Sequence, residues 1–158
     1  MRRKDREVTD PRRIKGILDD CKTCHLAMVD SGQPYVIPLS YAYAIEEGLL
    51  TLYFHSAKEG RKISILRENS AVCFEICSEG EPISAADTPC ESGYYFSCVH
   101  GFGNAEFVDD VSEKIYALSL LMKHQADVDV TFTQVQADTV CIFKVAASSY
   151  TGKAIPRK

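Results

Sequence analysis

The chain has 158 residues, of which 46% are hydrophobic and 25% charged, values that suit one compact domain over residues 1–158 and exclude a disordered chain. Its 18 basic and 22 acidic residues give a net charge of −4, which argues against nucleic-acid binding, because nucleic-acid-binding proteins usually carry a basic surplus. No apolar run approaches the roughly 20 residues that cross a bilayer, so we expect no membrane partner.

The predicted elements begin with a helix, because Asp10 followed by Pro11 is typical of a helix start. Two prolines in the second strand-like segment favour an edge strand or an interruption near Pro38. Gly101 and Gly103 predict a bend in a later, longer strand. In chain order we predict a helix over 10–21, strands over 23–30, 34–45 and 49–55, a short helix over 61–66, a strand over 71–78, a loop over 79–92, a strand over 94–108, a helix over 109–124 and a last strand over 139–147.

Segment 125–138 carries no clear pattern and stays unassigned. The strands mostly follow one another without the βαβ alternation of a parallel sheet, which indicates a mainly β fold with flanking helices. A six-stranded antiparallel barrel suits this strand count because it closes its own edges.

Seven cysteines cannot all pair within one chain, and the charged N-terminus shows no apolar signal segment. We therefore expect a cytoplasmic protein whose thiols act mostly as small apolar side chains. Cys73 and Cys141 lie in strand-like segments and are expected to be buried.

Cys21-Lys22-Thr23-Cys24-His25 matches the CxxCH pattern of c-type haem attachment. A redox pair would normally stand at a helix start, where the dipole lowers a thiol pKa, whereas this one stands at a predicted helix end. Zinc would require two further ligands, and no second CxxC or paired histidine follows. The segment is therefore interpreted as a helix-to-strand junction rather than a metal site.

The segment from His55 to Lys62 places a strand end, a polar loop and a helix start in succession. Helix-start N–H groups together with the Ser56 hydroxyl and the basic side chains of Arg61 and Lys62 would form an anion site of phosphate size. The alternative is a solvated basic helix start after a turn. The segment is not a P-loop, because GxxxxGK[ST] is absent.

Strand alternation over Pro34–Tyr43 puts an aromatic and aliphatic stripe on one face, formed by Tyr35, Ile37, Leu39, Tyr41 and Tyr43. Such a stripe is typical of a core or a dimer interface. Pro38 would leave backbone groups near Leu39–Tyr41 unpaired and available to a flat polar ligand. His124, at a predicted helix end, is expected to complement the helix dipole.

The ordered set PYVIPLSYAY, LYFHSAKEGRKISIL, AVCFEI and YYFSCVHGFGNAEF resembles the nitroimidazole-resistance (Nim)-like branch of the pyridoxamine-phosphate-oxidase-like flavoproteins. The resemblance implies a split β-barrel that binds FMN as a homodimer, with two flavin sites at the subunit interface. The chain lacks the Arg/His-rich C-terminal segment of true pyridoxamine-phosphate oxidases, and relatives with this barrel also bind deazaflavin or haem.

The same resemblance implies the roles of individual residues. The loop of Ser56, Ala57 and Gly60, with Arg61 and Lys62, would hold the FMN phosphate. The backbone of Pro38, Leu39, Ser40 and Tyr41 would line the isoalloxazine, and Ser97 and Val99 would lie near the flavin or across the dimer. His55 would stand beside the flavin and is the candidate catalytic residue.

Two functions follow from this comparison. The first is an FMN-dependent oxidoreductase, which reduces a small-molecule acceptor such as a nitro compound with electrons from a small-molecule donor. The second is a flavin- or haem-binding module without turnover, acting as a carrier, store or sensor. A structural barrel without a ligand remains a third alternative.

Overall fold

A computed structural model describes residues 3–78, 80–84, 88, 90 and 92–155. A 3-10 turn over Lys4–Arg6 precedes four α-helices, which are α1 (Pro11–Asp20), α2 (Arg61–Glu68), α3 (Val111–Ala126) and α4 (Gln134–Ala137). The described strands are β1 (Glu7–Val8), β2 (Thr23–Asp30), β3 (Gln33–Ser40), β4 (Ala42–Glu46), β5 (Leu49–Ser56), β6 (Ala71–Cys77), β7 (Glu81–Ile83), β8 (Gly93–Phe107) and β9 (Cys141–Ile155).

The strands form an antiparallel sheet in the order β3-β2-β6-β8-β9-β5-β4, with β1 paired to β9 and β7 to β8. β3 and β4 lie at opposite ends of this order, although only Tyr41 separates them in the sequence. The sheet must therefore curl until its two ends meet at Tyr41. The predicted mainly β antiparallel architecture with flanking helices is confirmed.

The predicted number of six strands was wrong, because the described residues form nine strands in a sheet that is not closed by hydrogen bonds. The segment predicted as one strand over 34–45 is divided at Tyr41 into β3 and β4. β1 and β7 have two and three residues, too few for a hydrophobic pattern to indicate a strand.

Two further segments differ from their predictions. The last strand extends to Ile155 because β1 and β8 pair with its second half. The unassigned segment contains α4, capped by Thr133 in a capping box with Gln136. Of the loop predicted over 79–92, residues 79, 85–87, 89 and 91 lie outside the described residues.

Tyr41 anchors the corner between β3 and β4. Its buried hydroxyl oxygen lies 2.8 Å from the carbonyl oxygen of Leu18 and 3.1 Å from that of Cys21, at the end of α1. Gln125, near the end of α3, donates a hydrogen bond of 2.8 Å to the Tyr41 carbonyl. Both helices therefore hold this corner in place.

The core fills the inside of the curled sheet and is closed at its ends by apolar residues of α1 and α2. β8 and β9 pair over most of their length, and Gly101 of β8 lies tightly against Phe74 of β6. A second apolar cluster packs α3 against the outer face of β4 and β5, around Ala42, Tyr53 and Leu118. None of the described helices is both long and apolar enough to cross a membrane.

The CxxCH segment is a helix-to-strand junction, as predicted. Cys21 follows the last residue of α1, and Cys24 is fully buried in β2. Burial raises the pKa of Cys21 to about 11. Cys73 and Cys141 are only partly buried, contrary to expectation.

Candidate functional site

The hydroxyl of Ser56 marks the candidate site. Ser56 is the last residue of β5 and lies on the same face as Leu52 and Phe54, which point into the core. Its Oγ atom is buried and has no hydrogen-bond partner in the described part of the chain. Because an unpaired buried hydroxyl costs about 1–3 kcal/mol, this atom is suited to accept or donate a hydrogen bond to a ligand.

The start of α2 supplies further donors at the same end of β5. Gly60 precedes the helix with φ +133°, a conformation that favours glycine, and no side chain caps the first turn. The first N–H groups of an uncapped helix point outward and attract anions. Ala57 lies exposed in the loop that leads from Ser56 to this helix start.

Lys62, in the first turn of α2, adds a positive charge at this helix start. Burial raises the pKa of the Cys141 thiol, and the nearby charges of Arg67, Lys114 and Lys62 oppose this rise. Cys141 is the direct partner of Ser56 in the pairing of β5 with β9. Lys62 forms no ion pair with any described residue, so its ammonium group is available to an anion.

Arg61 is already engaged within the chain. Its Nε and Nη2 atoms each lie 2.9 Å from Oδ2 of Asp30, and its guanidinium stacks over the ring of Tyr35 at 4.5 Å. These contacts connect the start of α2 to the β2–β3 hairpin. The carboxylate of Asp30 partly neutralises Arg61, so Lys62 is the stronger anion-binding residue of the two.

His55 and Ser40 lie where the two ends of the sheet diverge. Ala42 of β4 pairs with Tyr53 of β5. Ser40 lies two residues before Ala42, and His55 lies two residues after Tyr53, so both lie on the same side of this pair. β3 also contacts β5. Both side chains are exposed. The His55 ring makes no hydrogen bond to the described residues, which leaves it free to contact a ligand.

β3 contacts β5, and Tyr35 of β3 lies beneath Arg61 at the start of α2. β3 is an edge strand, so half of its backbone N–H and C=O groups, including those near Pro38 and Leu39, face away from β2. A flat ligand with an anionic tail fits this arrangement of donors and acceptors.

The aromatic stripe of β3 lies inside the molecule. Tyr35, Ile37 and Leu39 pack partly buried against the core, and Val36 and Pro38 on the opposite face are exposed. These side chains of the stripe therefore contribute to the core of the chain. The carbonyl of Tyr41 is occupied by Gln125, so the available backbone acceptors end at Ser40.

Within one chain, Ser97 and Val99 lie away from the candidate site around Ser56 and His55. Val99 is fully buried in the core, and Ser97 is half-buried and pairs with Ser78 through its N–H group (2.9 Å) and its hydroxyl (3.2 Å). Ser97 lies opposite Ala154 of β9, whereas His55 lies opposite Ile142. The two residues are thus near opposite ends of β9.

His124 differs from its predicted role at the end of α3. Its ring packs against Tyr41 and Tyr43, and Nε2 lies 3.1 Å from the Cys21 carbonyl oxygen. Burial lowers the pKa of this ring, which disfavours the charged form that would complement the helix dipole.

A family model described as pyridoxamine 5'-phosphate oxidase matches residues 10–154. No curated protein matches the chain. Among solved structures, a candidate 5-nitroimidazole antibiotic resistance protein from Bacteroides thetaiotaomicron is 28% identical, with a TM-score of 0.79 over 93% of this chain and 85% of that one.

Two more distant structures share the fold. The flavocytochrome Anf3 from Azotobacter vinelandii is 19% identical, with a TM-score of 0.80 over 99% of this chain and 72% of that one. An FAD-binding protein from Mesorhizobium loti is 24% identical, with a TM-score of 0.67 over 95% of this chain and 97% of that one. Together with the family model, these matches confirm the resemblance inferred from the ordered motifs.

Proposed function

The chain belongs to the pyridoxamine 5'-phosphate oxidase family, and on this basis we propose that it binds FMN and acts as a flavin-dependent oxidoreductase. The observation that carries the proposal is the buried Ser56 hydroxyl without a partner, next to the uncapped start of α2 and the unpaired Lys62. These groups match a phosphate, which presents several acceptor oxygens and a double negative charge. The flavocytochrome and the FAD-binding protein support a flavin as the ligand class.

The ring of the flavin would lie along the open edge of β3. Backbone groups of Pro38, Leu39 and Ser40 would hydrogen-bond its polar edge, and Arg61, held by Asp30, would orient the start of α2. Bound FMN supplies transfer of a hydride or of single electrons at its ring system. His55, exposed and unpaired, would contact the substrate or exchange a proton with it.

The proposed substrate is a nitro compound such as a 5-nitroimidazole. Support comes from the similarity to the Bacteroides protein, whose description names 5-nitroimidazole resistance.

We further propose a homodimer with flavin sites between the subunits. Ser97 and His55 lie near opposite ends of β9, so both could approach one flavin only if Ser97 came from a second copy. The outer face of the sheet carries an apolar row suited to such an interface, from exposed Val36 through Ala27 and Cys73 to exposed Phe102.

A comparison of FMN with riboflavin tests the phosphate site, because riboflavin lacks the phosphate. We expect the protein to bind FMN at least ten times more tightly. In the Lys62→Ala variant, FMN affinity should fall by about 10- to 100-fold, since hydrogen bonds to charged groups contribute about 1.5–3 kcal/mol, while riboflavin affinity changes little. Lys123→Ala, which removes an exposed charge at the end of α3, is the control. Equal loss for both flavins in Lys62→Ala would refute the phosphate site.

A non-catalytic flavin module remains the second candidate, because no described acidic or basic side chain pairs with His55. Turnover with NAD(P)H and a nitro compound or quinone separates the two functions. Reduction of the acceptor that falls at least tenfold in His55→Ala supports the enzyme. Bound flavin without turnover under any donor supports the module, and a Soret band would indicate haem.

A further inference from the structure

Three thiols lie close together away from the proposed flavin site, at the end of β6 and on the neighbouring strand and helix. Cys77 on β6 stands directly opposite Cys98 on β8, and each thiol influences the pKa of the other. Cys21, at the end of α1, is near enough to be influenced electrostatically by Cys77.

The pairing geometry places Cys77 and Cys98 at the distance that a disulfide spans. The Ser78 N–H group donates to the Ser97 carbonyl at 2.9 Å, so this neighbouring pair is a hydrogen-bonded position of the ladder. Hydrogen-bonded and non-hydrogen-bonded positions alternate in antiparallel strands, which makes Cys77–Cys98 a non-hydrogen-bonded pair with Cα atoms about 4.5 Å apart. Disulfides connect Cα atoms roughly 4.4–6.8 Å apart, so closure requires little movement of the backbone.

The two thiols differ in access. Cys77 is exposed, whereas Cys98 is 8% exposed. Burial raises the pKa of Cys98 to about 11 and also raises that of Cys77. An oxidant in solution therefore reacts first with Cys77, and Cys98 is oxidised by the oxidised Cys77 thiol.

We propose that Cys77 and Cys98 form a reversible oxidation site that a peroxide converts to a cross-strand disulfide. The Cys77 sulfur attacks one oxygen of hydrogen peroxide or an organic hydroperoxide, which breaks the O–O bond, gives a sulfenic acid and releases water or the alcohol. The Cys98 sulfur then attacks the Cys77 sulfur, and the sulfenic hydroxyl leaves as water with the Cys98 proton. Two electrons pass from the two thiols to one peroxide, and a dithiol reductant reverses the step.

Neighbouring thiols are less suited to the reaction. Cys73 lies on the same outer face but four residues earlier on β6, where its Sγ atom is 3.1 Å from Nε2 of His100. Cys21 is buried and lies on α1's end rather than across the ladder. The register therefore favours Cys98 over both as the partner of Cys77.

Peptide mapping of the full chain tests the proposal. Cleavage after Glu75, Glu79, Glu91 and Glu106 puts Cys73, Cys77, Cys90 and Cys98 on separate peptides. After hydrogen peroxide treatment and alkylation without reduction, we expect a peptide 76–79 linked to peptide 92–106 within a single chain. Dithiothreitol should remove the link and restore both thiols.

Two variants make the test specific. Cys77→Ser, at an exposed position, should lose the link and leave Cys98 unoxidised, whereas Cys73→Ser should keep the link. Circular dichroism verifies that both variants are folded. A link from Cys77 to Cys21 or Cys90, a link between chains, or over-oxidation of Cys77 with Cys98 still free would each overturn the proposal.

Discussion

At the scale of single residues, the buried and unpaired hydroxyl of Ser56 lowers the stability of the ligand-free protein, and a ligand that hydrogen-bonds to it would remove this loss. Replacing it with alanine deletes a buried hydroxyl that has no partner among the described residues, so we expect Ser56→Ala to be as stable as the wild type or slightly more stable without flavin. Its FMN affinity should fall about tenfold, which corresponds to about 1.4 kcal/mol. Thermal unfolding and flavin titration measure the two effects.

The matched control is Ser148→Ala, whose hydroxyl donates to the Phe102 carbonyl at 3.1 Å, away from the candidate site. This variant should keep its FMN affinity. A Ser56→Ala protein that is less stable without flavin and binds FMN as tightly as the wild type would contradict the assignment of Ser56.

His124 predicts how stability depends on pH. Its pKa is lowered by burial, so between that value and about 6.5 the unfolded chain binds a proton that the folded chain does not. Stability should therefore decrease as the pH falls below about 6.5. The His124→Phe variant keeps a ring against Tyr41 and cannot titrate, so its free energy of unfolding should change less between pH 7.5 and 5.5. Denaturant unfolding at both pH values checks this prediction.

At the scale of elements, the close packing of β8 against β6 depends on Gly101. A Cβ atom there would collide with Cζ of Phe74 and would lie 2.7 Å from the Ser149 carbonyl oxygen, so Gly101→Ala should destabilise the fold by about 1–3 kcal/mol. Gly16, in the interior of α1, has no neighbour within 4 Å of such an atom. Gly16→Ala should therefore stabilise the protein by up to about 1 kcal/mol. Equal effects of the two substitutions in thermal unfolding would contradict this packing.

Local sequence patterns predict where helices and strands lie better than they predict the tertiary contacts between these elements. Asp10-Pro11 predicts the start of α1, and the strand pattern over 23–30 matches the observed bounds of β2. The division at Tyr41 was not predicted, because it depends on hydrogen bonds with α1 and α3 rather than on the residues around it.

In the candidate site, too, neighbours in the sequence were predicted and contacts between distant residues were not. The segment from His55 to Lys62 was found from the sequence because all its groups are adjacent in the chain. The contact of Arg61 with Asp30 spans 31 residues and was missed, since Asp30 presents only a turn signal. The missing partner of Ser56 depends on burial, which no local pattern specifies.

At the scale of the whole molecule, the opposite placement of Ser97 and His55 along β9 predicts a dimer. Light scattering at micromolar concentration should give about twice the chain mass of 17.6 kDa. Phe102→Arg puts a charge in the exposed apolar row and should yield monomers with weaker FMN binding, whereas Tyr94→Arg, another exposed aromatic of β8 outside that row, should remain dimeric. A monomeric wild type that binds FMN normally would rule out a flavin site shared between subunits.

The most direct test of the account is a titration of the purified chain with FMN, followed by the quenching of flavin fluorescence and by the visible spectrum. We predict saturation at one FMN per chain, with a spectrum altered from that of free flavin and with weaker binding in Lys62→Ala. A folded, colourless protein that takes up no FMN would contradict the proposed function.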